Sequence, residues 1–293
     1  MTHRMYAFGR FCAEVRHVAN LCDRRTARAY WVALALHSAA ILRSGSLRPA
    51  DTAMHRRICT FSVAGRTIKL DGSTFGVARE LYGRRSYFAS GFDIRCGDVV
   101  MDLGANAGVF SVLAAQLGAR VIAVEAQAAE LKQLATTLDL NPCCAEAISA
   151  VHGLVGQSAG ALSNWDCKQF GGSMPPVITV GCLLQRFGVR RIDFLKIDIE
   201  GHEFSLISDG AEWLNCVTRI SMEVHTEFGD PALLVETLER HNFIVCLHNT
   251  EGMEVRCIDE ASGYLYAIAR DPPTSEPHPV QGTGEHRDEV ADA

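Results

Sequence analysis

From Gly97 onward, short apolar runs alternate with stretches in which apolar residues recur every three or four positions. The runs fit buried strands and the stretches fit amphipathic helices, an alternation typical of a parallel sheet with crossover helices. Seven strands are predicted: Val99–Leu103, Arg120–Val124, Ala147–Val151, Ile192–Ile197, Val217–Val224, Phe243–Leu247 and Tyr264–Ala269. We expect an α/β fold with a mostly parallel seven-stranded sheet and an antiparallel hairpin at its edge.

The helices between these strands are predicted from the same periodicity. They span Gly108–Leu117, Gln127–Leu140, about Glu200–Ser208, and Pro231–His241. Before Gly97, residues 1–57 predict helix that ends near Ser44-Gly45, and a hairpin and a short helix follow. The hairpin strands are Ile58–Val63 and Arg66–Leu70, and the short helix is Thr74–Tyr82. We therefore predict an N-terminal extension (residues 1–95), a main domain (96–270), and a proline-rich, disordered tail (271–293).

Charge is distributed unevenly along the chain, although the formal net charge is only −6. Residues 1–95 contain 16 Lys and Arg against 6 Asp and Glu, whereas the remainder contains 12 against 28. The basic part is either a solvated face or a surface that meets an anion, such as a phosphate-bearing or lipid-linked acceptor or a membrane. The acidic remainder argues against nucleic acid as a partner.

The cysteines and the apolar runs bear on the compartment. Eleven cysteines are scattered from Cys12 to Cys257 without a CxxC pair, and no secretory signal precedes them. This pattern predicts a reduced, cytoplasmic protein. The most apolar run, Tyr30–Leu42, has 13 residues, whereas a membrane span needs about 20. We expect no transmembrane segment.

The most informative local pattern is DLGANAG at residues 102–108, which directly follows an apolar strand and opens a helix. Glycines at such a turn let the backbone approach a ligand closely. The loop alone also fits a tight turn without a ligand. The dinucleotide pattern G-x-G-x-x-G is absent; the spacing here is Gly104-x-Asn106-x-Gly108, with Asp102 before it. An acid at this position suits a cofactor that carries an ammonium group better than one that carries a pyrophosphate.

Glu125 strengthens the interpretation of the loop as a cofactor site. It ends the second predicted strand, 17 residues after Gly108, where a carboxylate can accept the hydroxyl hydrogens of a ribose. Together the two features predict a nucleoside cofactor, and the form of the loop favours S-adenosylmethionine over NAD. The predicted cofactor-binding residues are Asp102, Gly104, Asn106, Gly108, Glu125 and Asp198.

A second charged motif, KIDIEGHE at residues 196–203, lies at the carboxyl end of the fourth predicted strand. With the loop at 102–108, about 90 residues earlier, it resembles the hallmark of the FkbM family of methyltransferases. The resemblance covers roughly residues 95–250, and residues 178–180 and 222–225 match as well. One departure is Ala126, where the family often has proline, and the region before Gly97 has no clear counterpart. The resemblance implies a Rossmann-like methyltransferase fold, S-adenosylmethionine, and O-methylation of a sugar, polyketide or other secondary metabolite.

Methyl transfer from a sulfonium to an alcohol needs alignment and is helped by a base that takes the alcohol's proton. Asp198, Glu200 and His225 follow adjacent strands and are predicted to converge. We predict that His225 is the base, because its ordinary pKa suits neutral pH; the alternative is a structural histidine. Asp198 would orient the acceptor or the cofactor's ammonium. These residues and Glu223 offer metal ligands, but their spacing matches no metal signature, so no metal is assigned.

The residues also bear on three other functions. A nucleobase amino-methyltransferase would need a Pro-Pro-aromatic element, where this chain has Ile199-Glu200-Gly201. A catalytically inactive cofactor-binding or scaffold protein would keep the loop without turnover. A NAD(P)-dependent oxidoreductase is less favoured because of the form of the loop.

Overall fold

The part of the chain before the main sheet folds as helices followed by a hairpin. The computed structural model describes residues 14–156, 170, 174–208 and 211–273, so the predicted tail beyond residue 273 lies outside the described residues. The first helices are 14–21 (α1), Arg24–Leu36 (α2), Ser38–Ser44 (α3) and Arg48–Thr52 (α4). Asp23 caps α2 by accepting the Thr26 N–H at 2.8 Å, and Gly45, with φ of 67°, ends α3.

The hairpin is formed by β1 (Ile58–Val63) and β2 (Arg66–Asp71), which pair antiparallel around the predicted turn. A short helix, α5 (Phe75–Ala78), continues as a π-helix over Arg79–Arg84. The predicted hairpin and the helix after it are therefore present.

The remaining helices cover the main sheet. They are α6 (Val109–Gln116), α7 (Ala128–Leu140), α8 (Pro142–Ala145), α9 (Val180–Phe187), α10 (Glu203–Leu206) and α11 (Pro231–Arg240). The strands of the sheet are β3 (Val99–Leu103), β4 (Arg120–Glu125), β5 (Ile148–His152), β8 (Phe194–Ile197), β9 (Arg219–His225), β10 (Phe243–His248), β11 (Glu254–Val255) and β12 (Ser262–Ala269). Two further short strands, β6 (Leu154–Val155) and β7 (Val177–Ile178), pair with each other.

The strand order of the sheet is β11-β10-β12-β9-β8-β3-β4-β5. The five strands from β9 to β5 are parallel, and β12, β10 and β11 are antiparallel. The predicted Rossmann-like α/β fold is confirmed. The difference is β11, whose two residues are too few to show a period in the sequence. From β3 the chain adds β4 and β5 on one side of the sheet, and it then returns to add β8 and β9 on the other side. The order of the strands therefore reverses between the parallel neighbours β3 and β8, and ligands bind beyond the carboxyl ends of the strands at such a point.

Two apolar cores fill the two faces of the sheet. One core combines residues of the N-terminal region, such as Phe61 and Phe75, with Phe110 and Phe194 of the sheet and its helices. The other lies between the sheet and the helices on its opposite face and contains Met222. Residues on both sides of position 95 thus share one core. Within the described residues, no helix is long and apolar enough to cross a membrane.

Candidate active site

The loop after β3 is held against the ends of two neighbouring strands. The amides of Gly104 and Ala105 both donate to the carbonyl oxygen of Val124, at 3.0 and 2.9 Å. Gly104 has a φ of 75°, and a Cβ atom added to it would lie 1.6 Å from the carbonyl oxygen of Asp198. Only glycine therefore fits where the loop passes the end of β8.

A buried lysine holds the same loop through an ion pair and a hydrogen bond. The Lys196 Nζ atom lies 3.0 Å from Asp102 Oδ1 and donates to the Gly104 carbonyl at 2.8 Å. Burial alone would lower the pKa of Lys196, but the charges of Asp102 and Asp198 raise it above its usual value, so the amine stays charged. Lys196 is thus a buried lysine inside a strand whose charge is balanced by a carboxylate.

Two predicted cofactor ligands do not reach a cavity. Asp102 is fully buried, and its Oδ2 accepts the Ser111 hydroxyl at 2.6 Å while its other oxygen faces Lys196. Gly108 is the N-cap residue just before α6, and a Cβ atom added to it would meet the Leu134 side chain at 3.0 Å. Each residue is enclosed by protein and supports the loop, and neither lines the two cavities described below.

Replacing Lys196 with Met should destabilise the protein by about 3–5 kcal/mol, because Asp102 would be left as a buried charge without its partner. Chemical unfolding monitored by circular dichroism measures the change. The matched control is Lys132→Met on the exposed face of α7, which we expect to stay within about 0.5 kcal/mol of the wild type. Equal stabilities of the two variants would contradict the role of Lys196.

A first cavity of about 350 Å³ opens beside the loop. Three of its lining residues are acidic, and none of its described lining residues is Lys or Arg. The acids are Glu125, Asp198 and Glu200, and the apolar walls include Leu154, Val155 and Ile199. Gly104 and Asn106 form the loop side of this cavity. The first cavity therefore suits a ligand with apolar and hydrogen-bonding parts and a positive charge.

Glu125 joins the loop to the start of α7. Its Oε2 accepts the Asn106 N–H and its Oε1 accepts the Gln127 N–H, both at 2.7 Å. Burial raises the pKa of Glu125, and these two hydrogen bonds oppose the rise. Each carboxylate oxygen can accept a further hydrogen bond, so Glu125 combines a structural role with a position on the wall of the first cavity.

A second cavity of about 290 Å³ lies on the other side of the same residues. Four residues line both cavities: Gly104, Asn106, Asp198 and Glu200. The rest of the second cavity includes Tyr87, Phe110, Glu223, His225 and Tyr264. The predicted residues Asp198, Glu200 and His225 are thus brought together at the second cavity, and Asp198 and Glu200 also line the first.

A tyrosine connects two carboxylates in the second cavity. The Tyr87 hydroxyl lies 2.8 Å from Asp198 Oδ2 and 3.0 Å from Glu223 Oε2. The pKa of Glu223 is raised to about 7, mainly because the side chain is buried and also because the charge of Asp198 disfavours a second negative charge nearby. Tyr87 was not predicted, because it lies in an irregular segment before β3 and no local motif marks it.

His225 does not have the pKa on which its predicted role rested. Its Nδ1 donates to Glu203 Oε1 at 2.9 Å, and its Nε2 lies 3.5 Å from Glu200 Oε2. Burial alone would lower the pKa of His225, but the hydrogen bond to Glu203 and the surrounding carboxylates raise it to about 9. His225 is therefore protonated at neutral pH and has no lone pair to accept a proton. The ordinary pKa, on which the prediction of His225 as the base rested, does not hold in this environment.

The three predicted residues also form a set of potential metal ligands. One potential ligand atom each from Asp198, Glu200 and His225 lies within 4.8 Å of the others, so these side chains can hold a metal ion although their spacing matched no signature. Two arginines of the basic N-terminal part, which was expected either to be solvated or to meet an anion, are paired with acids. Arg84 contacts Glu14 at 3.2 Å, and Arg85 contacts Asp93 at 3.2 Å.

Comparisons with known proteins agree with this architecture. Residues 102–266, more than half of the chain, match the model of the methyltransferase FkbM domain. No curated protein matches the chain. Similar solved structures include the precorrin-6y C5,15-methyltransferase of Geobacter metallireducens, at 16% identity over 60% of this chain and 82% of that one, with a TM-score of 0.36.

Two other solved structures are similar at the same level. The METTL16 MTase domain is 13% identical over 70% of this chain and 74% of that one, with a TM-score of 0.43. The human methyltransferase 10 domain containing protein is 13% identical over 60% of this chain and 73% of that one, with a TM-score of 0.37. Similarities this low transfer neither a substrate nor a reaction.

Proposed function

Because the chain belongs to the FkbM family of methyltransferases, we propose that it transfers a methyl group from S-adenosylmethionine to a hydroxyl oxygen of a small acceptor. The observation that carries this proposal is the junction of the two cavities. Asp198 and Glu200 line both of them, beside the glycine loop. A donor in the first cavity and an acceptor in the second would meet at these residues.

The first cavity fits the parts of S-adenosylmethionine. Glu125 is positioned to accept ribose hydroxyls, Leu154 and Ile199 offer apolar walls to the adenine, and the carboxylates of Asp198 and Glu200 suit its positive charges. A dinucleotide fits less well, since the described lining holds several acids and no Lys or Arg to balance a pyrophosphate. This contrast disfavours a NAD(P)-dependent oxidoreductase.

Asp198 is the best placed base among the carboxylates. S-Adenosylmethionine, when bound, supplies a methyl group on a positively charged sulfur, which an in-line oxygen can attack. Asp198 lines both cavities, so its carboxylate can accept the acceptor's hydroxyl proton where that oxygen must lie. Glu223 lines only the second cavity and not the first, where the donor would lie, which makes it the weaker candidate. General-base assistance of this kind contributes about 10²–10⁴-fold.

Glu200 and His225 would set the balance of charge around the carboxylate of Asp198. The imidazolium of His225 lies between Glu203 and the exposed carboxylate of Glu200. Its positive charge offsets the repulsion between the acids of the second cavity. Glu200 lines both cavities. We propose that it orients the acceptor hydroxyl rather than taking its proton.

The acceptor is proposed to be a small molecule that carries a hydroxyl group. Carboxylates at the junction would repel the phosphates of a nucleic acid, and two of the arginines before β3, Arg84 and Arg85, are already paired with acids. Sugars, polyketides and related secondary metabolites, which the family resemblance implies, are compatible with a cavity that combines carboxylates with the rings of Phe110 and Tyr264. We propose residues 96–270 as the catalytic domain.

Calorimetry should detect binding of S-adenosylmethionine and S-adenosylhomocysteine but not of NAD or NADP. Glu125→Gln should weaken binding of S-adenosylhomocysteine by at least about tenfold, since 1.4 kcal/mol corresponds to one decade and a hydrogen bond to a charged group is worth about that much. Glu146→Gln, at an exposed site outside both cavities, is the control and should bind like the wild type. Binding of NAD instead would overturn the assignment.

Turnover is tested by incubating the protein with isotopically labelled S-adenosylmethionine and a panel of hydroxylated metabolites. Mass spectrometry should find the labelled methyl group as an ether in one product. Binding of the cofactor without labelling of any acceptor would favour the catalytically inactive alternative.

A further inference from the structure

The exposed face of α2 carries positive charge at one end and apolar side chains at the other. Its first turns expose Arg24, Arg25 and Arg28, and its later turns expose Trp31 and Leu36. Since each residue of a helix turns by about 100°, these five fall within one arc of about 140°. The opposite face packs on the protein through its buried residues, which are Thr26, Tyr30 and Ala33.

The apolar end of this face is unusually open to solvent. Four large apolar side chains of α2 and α3 are exposed, with fractions from 48% for Trp31 to 77% for Leu36; the other two are Val32 and Leu42. Val32 and Leu36 are four positions apart and so lie one above the other on the helix surface. Single exposed apolar residues are ordinary, but a group of them marks a surface that meets another apolar phase. Tryptophan is enriched where a bilayer meets water.

A cavity of about 480 Å³ lies beside the basic end of α2. Arg25 of α2 lines it together with Arg56 and Arg57 from the segment before β1, and none of its described lining residues is Asp or Glu. Unlike Arg84 and Arg85, these three arginines form no ion pair with a described residue. A guanidinium group matches the geometry of a phosphate and binds it with two hydrogen bonds. This arginine cavity therefore suits a group that carries a phosphate.

We propose that the exposed face of α2 and the arginine cavity dock the protein on a bilayer that contains anionic phospholipids. Headgroup phosphates enter the arginine cavity, while Trp31, Val32 and Leu36 enter the boundary between headgroups and acyl chains. Arg25 and Ala29, which line the cavity, continue along the same strip of the helix to Val32 and Leu36, so both parts of the surface face one way. The inference is independent of the methyl transfer proposed above.

Other occupants of this surface fit its charge and its apolar side chains less well. Residues 21–60 contain seven arginines and two acids. Both acids are engaged, because Asp23 caps α2 and Asp51 pairs with Arg79. A second copy of the chain would bring two basic surfaces together, and a nucleic acid would leave Trp31 against water and phosphates. An anionic bilayer offers phosphates and an apolar phase side by side, and its attraction for each arginine is screened by salt.

The first test is flotation of the full chain with vesicles of phosphatidylcholine, with or without one third of phosphatidylserine. The wild type should bind only the vesicles with phosphatidylserine and should be released by high salt. Arg25→Gln/Arg57→Gln should weaken binding by about 30-fold, because two charges near an anionic surface are lost. The control, Arg190→Gln/Arg256→Gln, removes the same charge from exposed sites on other elements and should bind like the wild type. Equal binding by the two double variants, or none by the wild type, would overturn the proposal.

The second test concerns the apolar end of the surface. Leu36→Asp should weaken binding to the same vesicles by about tenfold or more, since an apolar side chain that enters the bilayer is replaced by a charge that phosphatidylserine repels. Leu233→Asp, at another exposed leucine on α11, is the control and should bind like the wild type. Vesicles should shift the tryptophan fluorescence of the wild type to the blue, and Trp31→Phe should lose that shift. Wild-type binding by Leu36→Asp, or an undiminished shift in Trp31→Phe, would contradict insertion of α2.

Further measurements separate the bilayer from other occupants. Thermal unfolding should show that every variant folds, because all the substituted side chains are exposed. A lipid-free dimer in ultracentrifugation that Leu36→Asp dissociates, without vesicle binding, would identify a second copy as the occupant. Calorimetric binding of glycerophosphoserine without vesicle binding would assign the arginine cavity to a free phosphate ester. Either result would overturn membrane docking, and neither bears on methyl transfer, which the labelling experiment tests.

Discussion

Asp198→Asn should lower turnover by two to four decades and leave the affinity for S-adenosylhomocysteine within a few-fold of the wild type. An amide has the size of the carboxylate but cannot take up a proton at neutral pH, so the variant removes the base. It also removes one negative charge from the wall of the first cavity, which accounts for the small expected loss of cofactor affinity. The expected loss is the usual size of a general-base contribution. Single-turnover kinetics with the acceptor measures the chemical step, and calorimetry measures cofactor affinity.

The controls for this variant separate the base from its neighbours. Glu227→Gln removes an exposed carboxylate just beyond β9, outside both cavities, and should keep the wild-type rate. A full rate in Asp198→Asn combined with a loss in Glu223→Gln would assign the base to Glu223. Assays with EDTA and with added Mg²⁺ are run in parallel, because Asp198, Glu200 and His225 can hold a cation.

Gly104→Ala should weaken binding of S-adenosylhomocysteine by about 100-fold or more and destabilise the fold by about 3 kcal/mol. The added methyl group would lie 1.6 Å from the carbonyl oxygen of Asp198, so the loop or the end of β8 must move. Overpacking of this kind typically costs about 1–3 kcal/mol, and the left-handed backbone adds about 1–2 kcal/mol for a residue with a side chain. The binding loss follows because both displaced segments line the first cavity. Calorimetry and thermal unfolding measure the two effects.

Gly97→Ala is the matched control for Gly104→Ala. Gly97 has a similar φ of 87°, precedes the same strand, and has no atom within 4 Å of an added Cβ. It should show the backbone strain alone, with unchanged cofactor affinity. Wild-type affinity in Gly104→Ala would mean that the loop does not form the cofactor site.

The features that depend on residues close together in the sequence were predictable from it. The parallel sheet follows from apolar runs that alternate with amphipathic helices, because burial on both faces demands that pattern. The loop from Gly104 to Gly108 was identified because a strand-to-helix turn with positive φ favours glycine or asparagine at the positions where they occur. Asp198 and Glu200 were placed at the sheet's ligand-binding edge, because a strand's carboxyl end fixes where the next residues lie.

Tertiary structure alone decided the chemistry assigned to those residues. Tyr87 and Glu223 are 136 positions apart, and no local pattern joins them. The same holds for the pKa of His225, which depends on how closely Glu203, Glu223 and Glu200 surround it. Asp102 lies beside the loop in sequence, yet the fold buries its side chain in an ion pair with Lys196. Local sequence determines conformation through short-range sterics, whereas a protonation state depends on burial and on charges that only the folded chain brings together.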